Sequence, residues 1–232
     1  MEVNHFFSTP VFLMIDNNYE KNIDQLLSEI YAWRDSDEGI TRSNKGGWHS
    51  NTRIFDRKEP GIKRICQMMI KCFKDCTKEI APEFELDLSR LDMKGEGWVN
   101  VNPQHTYNVP HDHPGYTWSG VYYAKVPPQN DARSGNIEFL DPRTCVTAFA
   151  TDVSKQSSYF SPKRTITPKN GMIVIFPSYL RHWVYPNEEP VDRITFAFNF
   201  KFAPKQIVNS IPPASAKNEG STKTSKRKPR KK

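Results

Sequence analysis

The sequence predicts an α+β fold in which two helices precede a β-sandwich of the jelly-roll (cupin-like) type. Two apolar stripes with helical spacing occupy most of the first 80 residues. From about Leu91 the apolar residues alternate instead, in short segments that Pro and Gly separate. Closely spaced short strands favour an antiparallel sandwich or barrel, and helices that precede strands favour an α+β domain.

The N-terminal elements follow from apolar runs and from the residues that start or stop helices. The run HFFSTPVFLMI contains Pro10, which predicts a strand at the edge of a sheet. A first helix is expected over about 16–38 and a second over about 60–81. The polar segment 40–55 between them predicts a loop. Within it, a lid over a site or a simple turn is expected at Trp48, His49 and Ser50.

The C-terminal half carries the strand-like segments and then loses its apolar pattern. Strands are expected at 97–102, 117–126, 136–140, 145–150, 171–176, 181–185 and 193–202. The segment 204–232 is poor in large apolar residues and is expected to be a disordered basic tail. We therefore divide the chain into a supporting part (1–90), a β-sandwich core (91–203) and this tail.

The net charge of +7 belongs to the tail. Residues 211–232 contain eight basic residues and one acidic residue, so the rest of the chain is neutral. Clustered Lys and Arg attract phosphates without sequence choice, and residues 217–232 therefore predict a nonspecific nucleic-acid contact. The alternative is a solvated end that aids solubility.

The compartment is expected to be the cytoplasm, or the host cytoplasm if the protein is viral. No stretch approaches the roughly 20 apolar residues of a membrane span, so no membrane partner is expected. The N-terminus lacks the basic start and the cleavage site of a signal peptide. The four cysteines are accordingly expected to be reduced thiols.

Two histidines in the segment NVPHDHPGYTW predict a metal site. In an extended segment, residues two apart project from the same face, about 7 Å apart along the backbone. His111 and His113 can therefore converge on one metal ion, while Asp112 points away. His182, at the start of a late strand, is a candidate for the third ligand. Three ligands on one face would leave positions open for a substrate and dioxygen.

The last predicted strand, RITFAFNFKF, carries a candidate anion site. One face presents only Ile and Phe, whereas the other presents Arg193, Thr195, Ala197 and Asn199. A guanidinium beside a hydroxyl can bind a carboxylate. Arg193 follows His182 by one strand and one turn, which places this carboxylate clamp one strand away from the expected metal. The alternative is a surface strand with an exposed arginine.

On these motifs the chain resembles the iron(II)- and 2-oxoglutarate-dependent dioxygenases, whose fold is the double-stranded β-helix. It looks like the oxygenases of bacteria and phages that carry a His-x-His-Pro and SGVYY signature. The resemblance covers about residues 5–203. The matching stretches are GGWHS (46–50), HDHPGYTWSGVYYAKVP (111–127), GNIEFLDPR (135–143), PKNGMIVIFPSYLRHWVYP (168–186) and RITFAFNF (193–200).

The resemblance implies a role for each candidate site residue. It makes His111, His113 and His182 the Fe(II) ligands and catalytic centre, and it makes Arg193 and Thr195 the binding residues for the far carboxylate of 2-oxoglutarate. A pocket-wall contact with this co-substrate is expected from Tyr107, with Trp118 and Tyr123 as further candidates. The alternative is that these aromatic residues belong to the core. The family has Asp or Glu where this chain has His113. Asp112 is the alternative ligand if the flanking prolines break the strand.

Three functions remain open from the sequence. The first is an Fe(II)- and 2-oxoglutarate-dependent oxygenase that uses dioxygen to hydroxylate an organic substrate or a protein side chain. The second is a three-histidine cupin-type dioxygenase that needs no 2-oxoglutarate. The third is a non-catalytic jelly-roll module that binds nucleic acid through its tail.

Overall fold

Two β-sheets face each other in the computed structural model, which describes residues 2, 7–80, 91–128, 130–143 and 161–204. The helices are α1 (Tyr19–Ser36) and α2 (Pro60–Glu79), with a short 3-10 helix at Ile54–Asp56. The strands are β1 (Phe12–Ile15), β2 (Asn44–Lys45), β3 (Trp48–His49), β4 (Leu91–Asn102), β5 (Tyr107–His111), β6 (Trp118–Lys125), β7 (Ile137–Leu140), β8 (Lys163–Ile166), β9 (Met172–Pro177), β10 (His182–Val184) and β11 (Arg193–Pro204).

The strands form a larger and a smaller sheet. The larger sheet has the order β1-β9-β6-β11-β4-β3, and the smaller has the order β2-β5-β10-β7-β8. Each neighbouring pair of these strands is antiparallel. β1 lies at an edge, as Pro10 predicts. The α+β architecture expected from the sequence is therefore confirmed in the described residues.

The two faces of β11 meet different environments. Ile194, Phe196, Phe198 and Phe200 belong to the core that the helices cover, and the exposed fraction of each is at most 2%. The opposite face lies between the two sheets and carries Arg193 and Thr195. Because side chains alternate along a strand, a one-residue slip of β11 would exchange the two sets.

The helices cover the outer face of the larger sheet through apolar contacts. The contributing residues of α1 and α2 include Leu26, Ile30, Trp33, Ile62, Ile65, Met69 and Phe73. The Phe73 and Phe200 ring centroids are 4.4 Å apart. One buried polar contact joins α2 to the sheet: the indole N–H of Trp118 donates to Thr77 Oγ1 over 3.0 Å, and that hydroxyl donates to the Phe73 carbonyl.

Replacement of Thr77 by valine is expected to lower the free energy of unfolding by about 1–3 kcal/mol. Valine keeps the shape but leaves the Trp118 N–H buried without its acceptor. Urea unfolding followed by tryptophan fluorescence measures the change. The exposed Thr167 provides the control, because its replacement by valine should change stability by no more than about 0.5 kcal/mol. Equal stability of the two variants would contradict the role of this hydrogen bond.

Several short elements were not expected from the sequence. The predicted loop at 40–55 contains β2, β3 and the short 3-10 helix, and both β5 and β8 lie outside the predicted strands. The predicted strand at 145–150 and the tail at 204–232 lie outside the described residues, except for Pro204. None of the described helices is long and apolar enough to cross a membrane.

Candidate metal centre

Three histidine side chains converge between the two sheets. The candidate ligand atoms of His111, His113 and His182 all lie within 4.8 Å of one another. Their ring centroids are 4.9 Å apart for His111 and His113, 4.5 Å for His111 and His182, and 5.3 Å for His113 and His182. Asp112 is exposed and is not part of this cluster. The cluster therefore offers three nitrogen ligands and no carboxylate.

Strand pairing in the smaller sheet brings these histidines together. His111 at the end of β5 is the direct partner of His182 at the start of β10. His113 follows β5, and its backbone N–H donates to the Ser178 carbonyl over 2.9 Å. The last turn before β10 therefore fixes both His182 and the backbone of His113.

Hydrogen bonds fix the tautomers of two of the rings. Nδ1 of His111 lies 2.7 Å from the Val109 carbonyl oxygen, and Nδ1 of His182 lies 2.9 Å from the Leu180 carbonyl oxygen. A carbonyl only accepts, so both Nδ1 atoms carry the proton, and both Nε2 lone pairs are free for a metal.

Burial keeps the three rings neutral. It lowers the pKa of His182 to about 3 and, together with the neighbouring His111, the pKa of His113 to about 4. Burial also lowers the pKa of His111. Neutral imidazole is the form that binds metal, so the rings are in this form at pH 7.

A β-bulge decides which residues of β5 face the centre. His182 pairs with His111 and Val184 pairs with Asn108, so three residue steps on β5 match two on β10. Pro110 lies between these two paired positions, and a bulge is one of the places where a sheet tolerates proline. Asn108 and His111 therefore both line the cavity beside the histidines.

Tyr107 is predicted to contribute to the pocket wall, and strict alternation from His111 would place it on the cavity side. Tyr107 is 39% exposed, pairs with Lys45 and lines neither cavity near the histidines. The bulge changes the parity between Tyr107 and His111, so the tyrosine points outward. Trp118 is also absent from the cavity because it packs in the core under the helices, whereas Tyr123 lines the cavity.

A small inner cavity of about 50 Å³ extends from the histidines towards Arg193 and Thr195. Arg193 is 3% exposed, and its Nε donates to the Gly135 carbonyl over 3.1 Å. Among the described residues it has no ion-pair partner. Burial lowers the pKa of Arg193 from its usual value. A buried cation without a counter-ion suits an anionic ligand.

Unpartnered polar atoms surround this arginine. The side-chain oxygens of Asn100 and Asn102 are buried and have no hydrogen-bond partner among the described residues, and the buried Tyr123 hydroxyl interacts with Arg193. Thr195, which is 2% exposed, pairs with Asn100 on one side and Tyr123 on the other. Buried polar groups are normally satisfied, so this concentration of unpaired oxygens near a cation fits a polar ligand.

A second, larger cavity of about 460 Å³ also reaches the cluster. It shares Ser43, Trp98, His111, His113 and Asn199 with the inner cavity and is otherwise lined by the polar residues Arg42, His49, Thr52 and Glu96. His49 is buried and stacks on Trp98, with ring centroids 5.3 Å apart. The segment expected to be a lid or a turn thus contributes one wall of this cavity.

The described residues also contain a polar network that the sequence analysis did not identify. Asn199 contacts both His113 Nδ1 and Glu96 Oε1, at 3.3 Å and 3.2 Å. The alternation of β11 places Asn199 on the same face as Arg193 and Thr195, but nothing in the sequence indicates its partners.

A family model matches the central part of the chain. Residues 96–199 match the family model described as "Putative 2OG-Fe(II) oxygenase". These residues form a 2OG-Fe(II) oxygenase domain. The matched segment contains all three histidines, Arg193 and Thr195, and the family uses Fe(II) and 2-oxoglutarate as cofactors. No curated protein sequence matches the chain.

Solved structures show the same fold at low sequence identity. A Pseudomonas putida prolyl-4-hydroxylase has a TM-score of 0.51 and 12% identity, over 84% of this chain and 93% of that chain. The non-heme α-ketoglutarate-dependent carbocyclase SnoK of nogalamycin biosynthesis has a TM-score of 0.56 and 9% identity, over 87% and 84%. The epimerase SnoN of the same biosynthesis has a TM-score of 0.53 and 13% identity, over 96% and 93%. The double-stranded β-helix expected from the sequence is confirmed.

The residues present fit these cofactors. Fe(II) binds imidazole readily, and the three clustered histidines leave coordination positions open. The dianion of 2-oxoglutarate would supply a negative charge to pair with Arg193. It would also supply the negative charge that three neutral imidazole ligands do not give the metal.

Proposed function

We propose that this 2OG-Fe(II) oxygenase is a hydroxylase in which His111, His113 and His182 hold the iron. Arg193 and Thr195 would bind the far carboxylate of 2-oxoglutarate. One observation carries the proposal: a three-imidazole cluster and a buried, uncompensated guanidinium lie along a single cavity between two sheets. The overall reaction would convert a C–H group, dioxygen and 2-oxoglutarate into an alcohol, succinate and carbon dioxide.

The protein's own contribution is to bind, orient and exclude water. When bound, Fe(II) and 2-oxoglutarate supply the oxidising chemistry. The carbonyl oxygens of Val109 and Leu180 hold two imidazoles with Nε2 towards the centre. Arg193 would anchor the co-substrate at one end and thereby set the direction of its other end. The apolar side chains of Ile137 and Phe176 also line the inner cavity and keep water from this site.

The larger cavity is the proposed substrate site, because two of the histidines line it and Arg193 does not. Its volume lies within the roughly 300–1,000 Å³ range of small-molecule sites. A polar organic molecule or a single protein side chain fits this space. The prolyl-4-hydroxylase with the same fold supports a protein side chain as the substrate, by analogy.

Anaerobic titration of the purified protein with Fe(II) and 2-oxoglutarate tests the proposal. We expect a weak visible metal-to-ligand absorption band that needs both components, because the chelate forms only when the co-substrate's keto and carboxylate oxygens reach the iron. In air, the same sample should form succinate. Absence of both the band and succinate would refute the assignment.

A three-histidine dioxygenase without 2-oxoglutarate is the second candidate, because the described cluster contains no carboxylate. Oxygen uptake that persists without 2-oxoglutarate and in the Arg193→Ala variant would favour it. A nucleic-acid contact through 217–232 stays a prediction, since these residues lie outside the described chain.

A further inference from the structure

The third imidazole of the cluster differs from the other two in its hydrogen-bond partner. His113 Nδ1 meets no carbonyl; it lies 3.3 Å from the side-chain amide nitrogen of Asn199. The same amide nitrogen lies 3.2 Å from Glu96 Oε1. Asn199 Oδ1 accepts from Ser119 Oγ over 2.8 Å, and Ser119 Oγ lies 2.9 Å from Ser178 Oγ.

The chemistry of the partners fixes the orientation of the Asn199 amide. A carboxylate can only accept, so the end that faces Glu96 must be the amide nitrogen. One of its two hydrogens points to Glu96 and the other to His113, while the oxygen faces the Ser119 hydroxyl. Asn199 is 2% exposed, so bulk water has little access to its amide.

This orientation selects the tautomer of His113. Because Nδ1 accepts from the amide, the neutral ring carries its proton on Nε2. Nε2 is the nitrogen through which His111 and His182 can offer lone pairs to the centre. A protonated Nε2 cannot ligate a metal, so His113 is held in the wrong tautomer.

We propose that Asn199 and Glu96 form a latch that keeps His113 from binding metal until the Asn199 amide rotates. The proposal rests on the proposed metal site. After rotation, the amide oxygen would accept from His113 Nδ1–H, and the amide nitrogen would donate to Ser119 Oγ, which can donate in turn to Ser178. The Asn199 amide oxygen would then face the Glu96 carboxylate. Both groups are hydrogen-bond acceptors, so they would repel each other.

The charge of Glu96 therefore opposes metal binding at His113. Tyr116 also forms a hydrogen bond to this carboxylate. A glutamine at position 96 could accept from Tyr116 through its oxygen and donate to the rotated Asn199 through its nitrogen. Glu96→Gln thus removes the repulsion that rotation creates.

Metal affinity of the full chain tests the latch, with Co(II) as the probe. Titration followed by the Co(II) visible absorption should show about tenfold tighter binding in Glu96→Gln than in the wild type, a size usual for groups that contact metal ligands. Glu79→Gln, at an exposed position on α2, makes the same charge change and should bind Co(II) like the wild type. Unchanged or weaker binding in Glu96→Gln would overturn the proposal.

The tautomers themselves can be measured without any metal. In metal-free protein labelled with ¹⁵N, long-range ¹H–¹⁵N spectra of the rings should show His113 protonated at Nε2, and His111 and His182 protonated at Nδ1. Single His→Gln variants assign the three signals. A His113 ring protonated at Nδ1 would refute the latch whatever the activity of the enzyme, whereas absence of succinate would refute only the proposed function.

Discussion

Replacement of His182 by alanine is expected to weaken Fe(II) binding more than about 100-fold and to abolish succinate formation. Loss of a group that merely orients a metal ligand costs about 10–100-fold in affinity, so loss of a ligand should cost more. His182 is the most buried of the three histidines and is paired directly with His111. Iron content after anaerobic dialysis and Co(II) titration both measure the effect.

A histidine outside the cluster gives the matched control for this variant. The side chain of His105 is 71% exposed and pairs with Glu188 rather than with the cluster. His105→Ala should retain wild-type metal affinity and succinate formation. Thermal unfolding of both variants separates lost ligation from lost folding, because His182 also packs on Phe139 and Phe176. Wild-type iron content in a folded His182→Ala protein would contradict the assignment.

Replacement of Arg193 by alanine should leave metal binding intact but raise the KM for 2-oxoglutarate about 30-fold or more. Truncation of one partner of a buried charge pair costs about 2–5 kcal/mol, which corresponds to a factor of roughly 30 to several thousand. Arg193 would be that partner, because it is fully buried and the described chain supplies no carboxylate to pair with it. Succinate formation at varied 2-oxoglutarate concentrations measures the KM.

Two further arginine variants make this test specific. Arg193→Lys keeps the charge but not the two parallel donors, so its KM should fall between those of the wild type and Arg193→Ala. The exposed Arg164 on β8 serves as the control, and its replacement by alanine should not change the KM. Equal KM values for the wild type and a folded Arg193→Ala protein would show that the co-substrate binds elsewhere.

The placement of Arg193 and Thr195 could be predicted from the sequence because β11 alternates without interruption. Each residue on one face of RITFAFNF is large and apolar, and both faces of the strand are buried, one under the helices and the other between the two sheets. A single period-two pattern over such a length leaves only one register that buries the phenylalanines. The convergence of His111 and His113 followed from the same geometry.

The position of Tyr107 could not be predicted because its strand is irregular. A bulge adds one residue to β5, and its presence depends on the pairing with β10, which lies about 70 residues away in the sequence. The local sequence pattern of β5 does not show which strand it pairs with. The contacts of Asn199 with His113 and Glu96 are likewise tertiary, since amide partners follow no spacing along the chain.

Short polar strands could not be predicted from the sequence either. β8 has the sequence KRTI and is mostly exposed, so it shows neither an apolar run nor clean alternation. It is recognised as a strand only because it pairs with β7 at the edge of the smaller sheet. Two of its side chains, Lys163 and Thr165, donate partly buried hydrogen bonds to Glu138.

The histidines and the arginine belong to different layers of the sandwich. His111 and His182 lie on strands of the smaller sheet, whereas Arg193 lies on the larger one. Stacked sheets are about 10 Å apart. Bound 2-oxoglutarate would therefore bridge the two sheets. It would be held to the smaller sheet through the metal and to the larger sheet through its distal carboxylate. The distance between the two sheets would then select the length of the co-substrate. A dicarboxylate one methylene shorter or longer would not fit this distance.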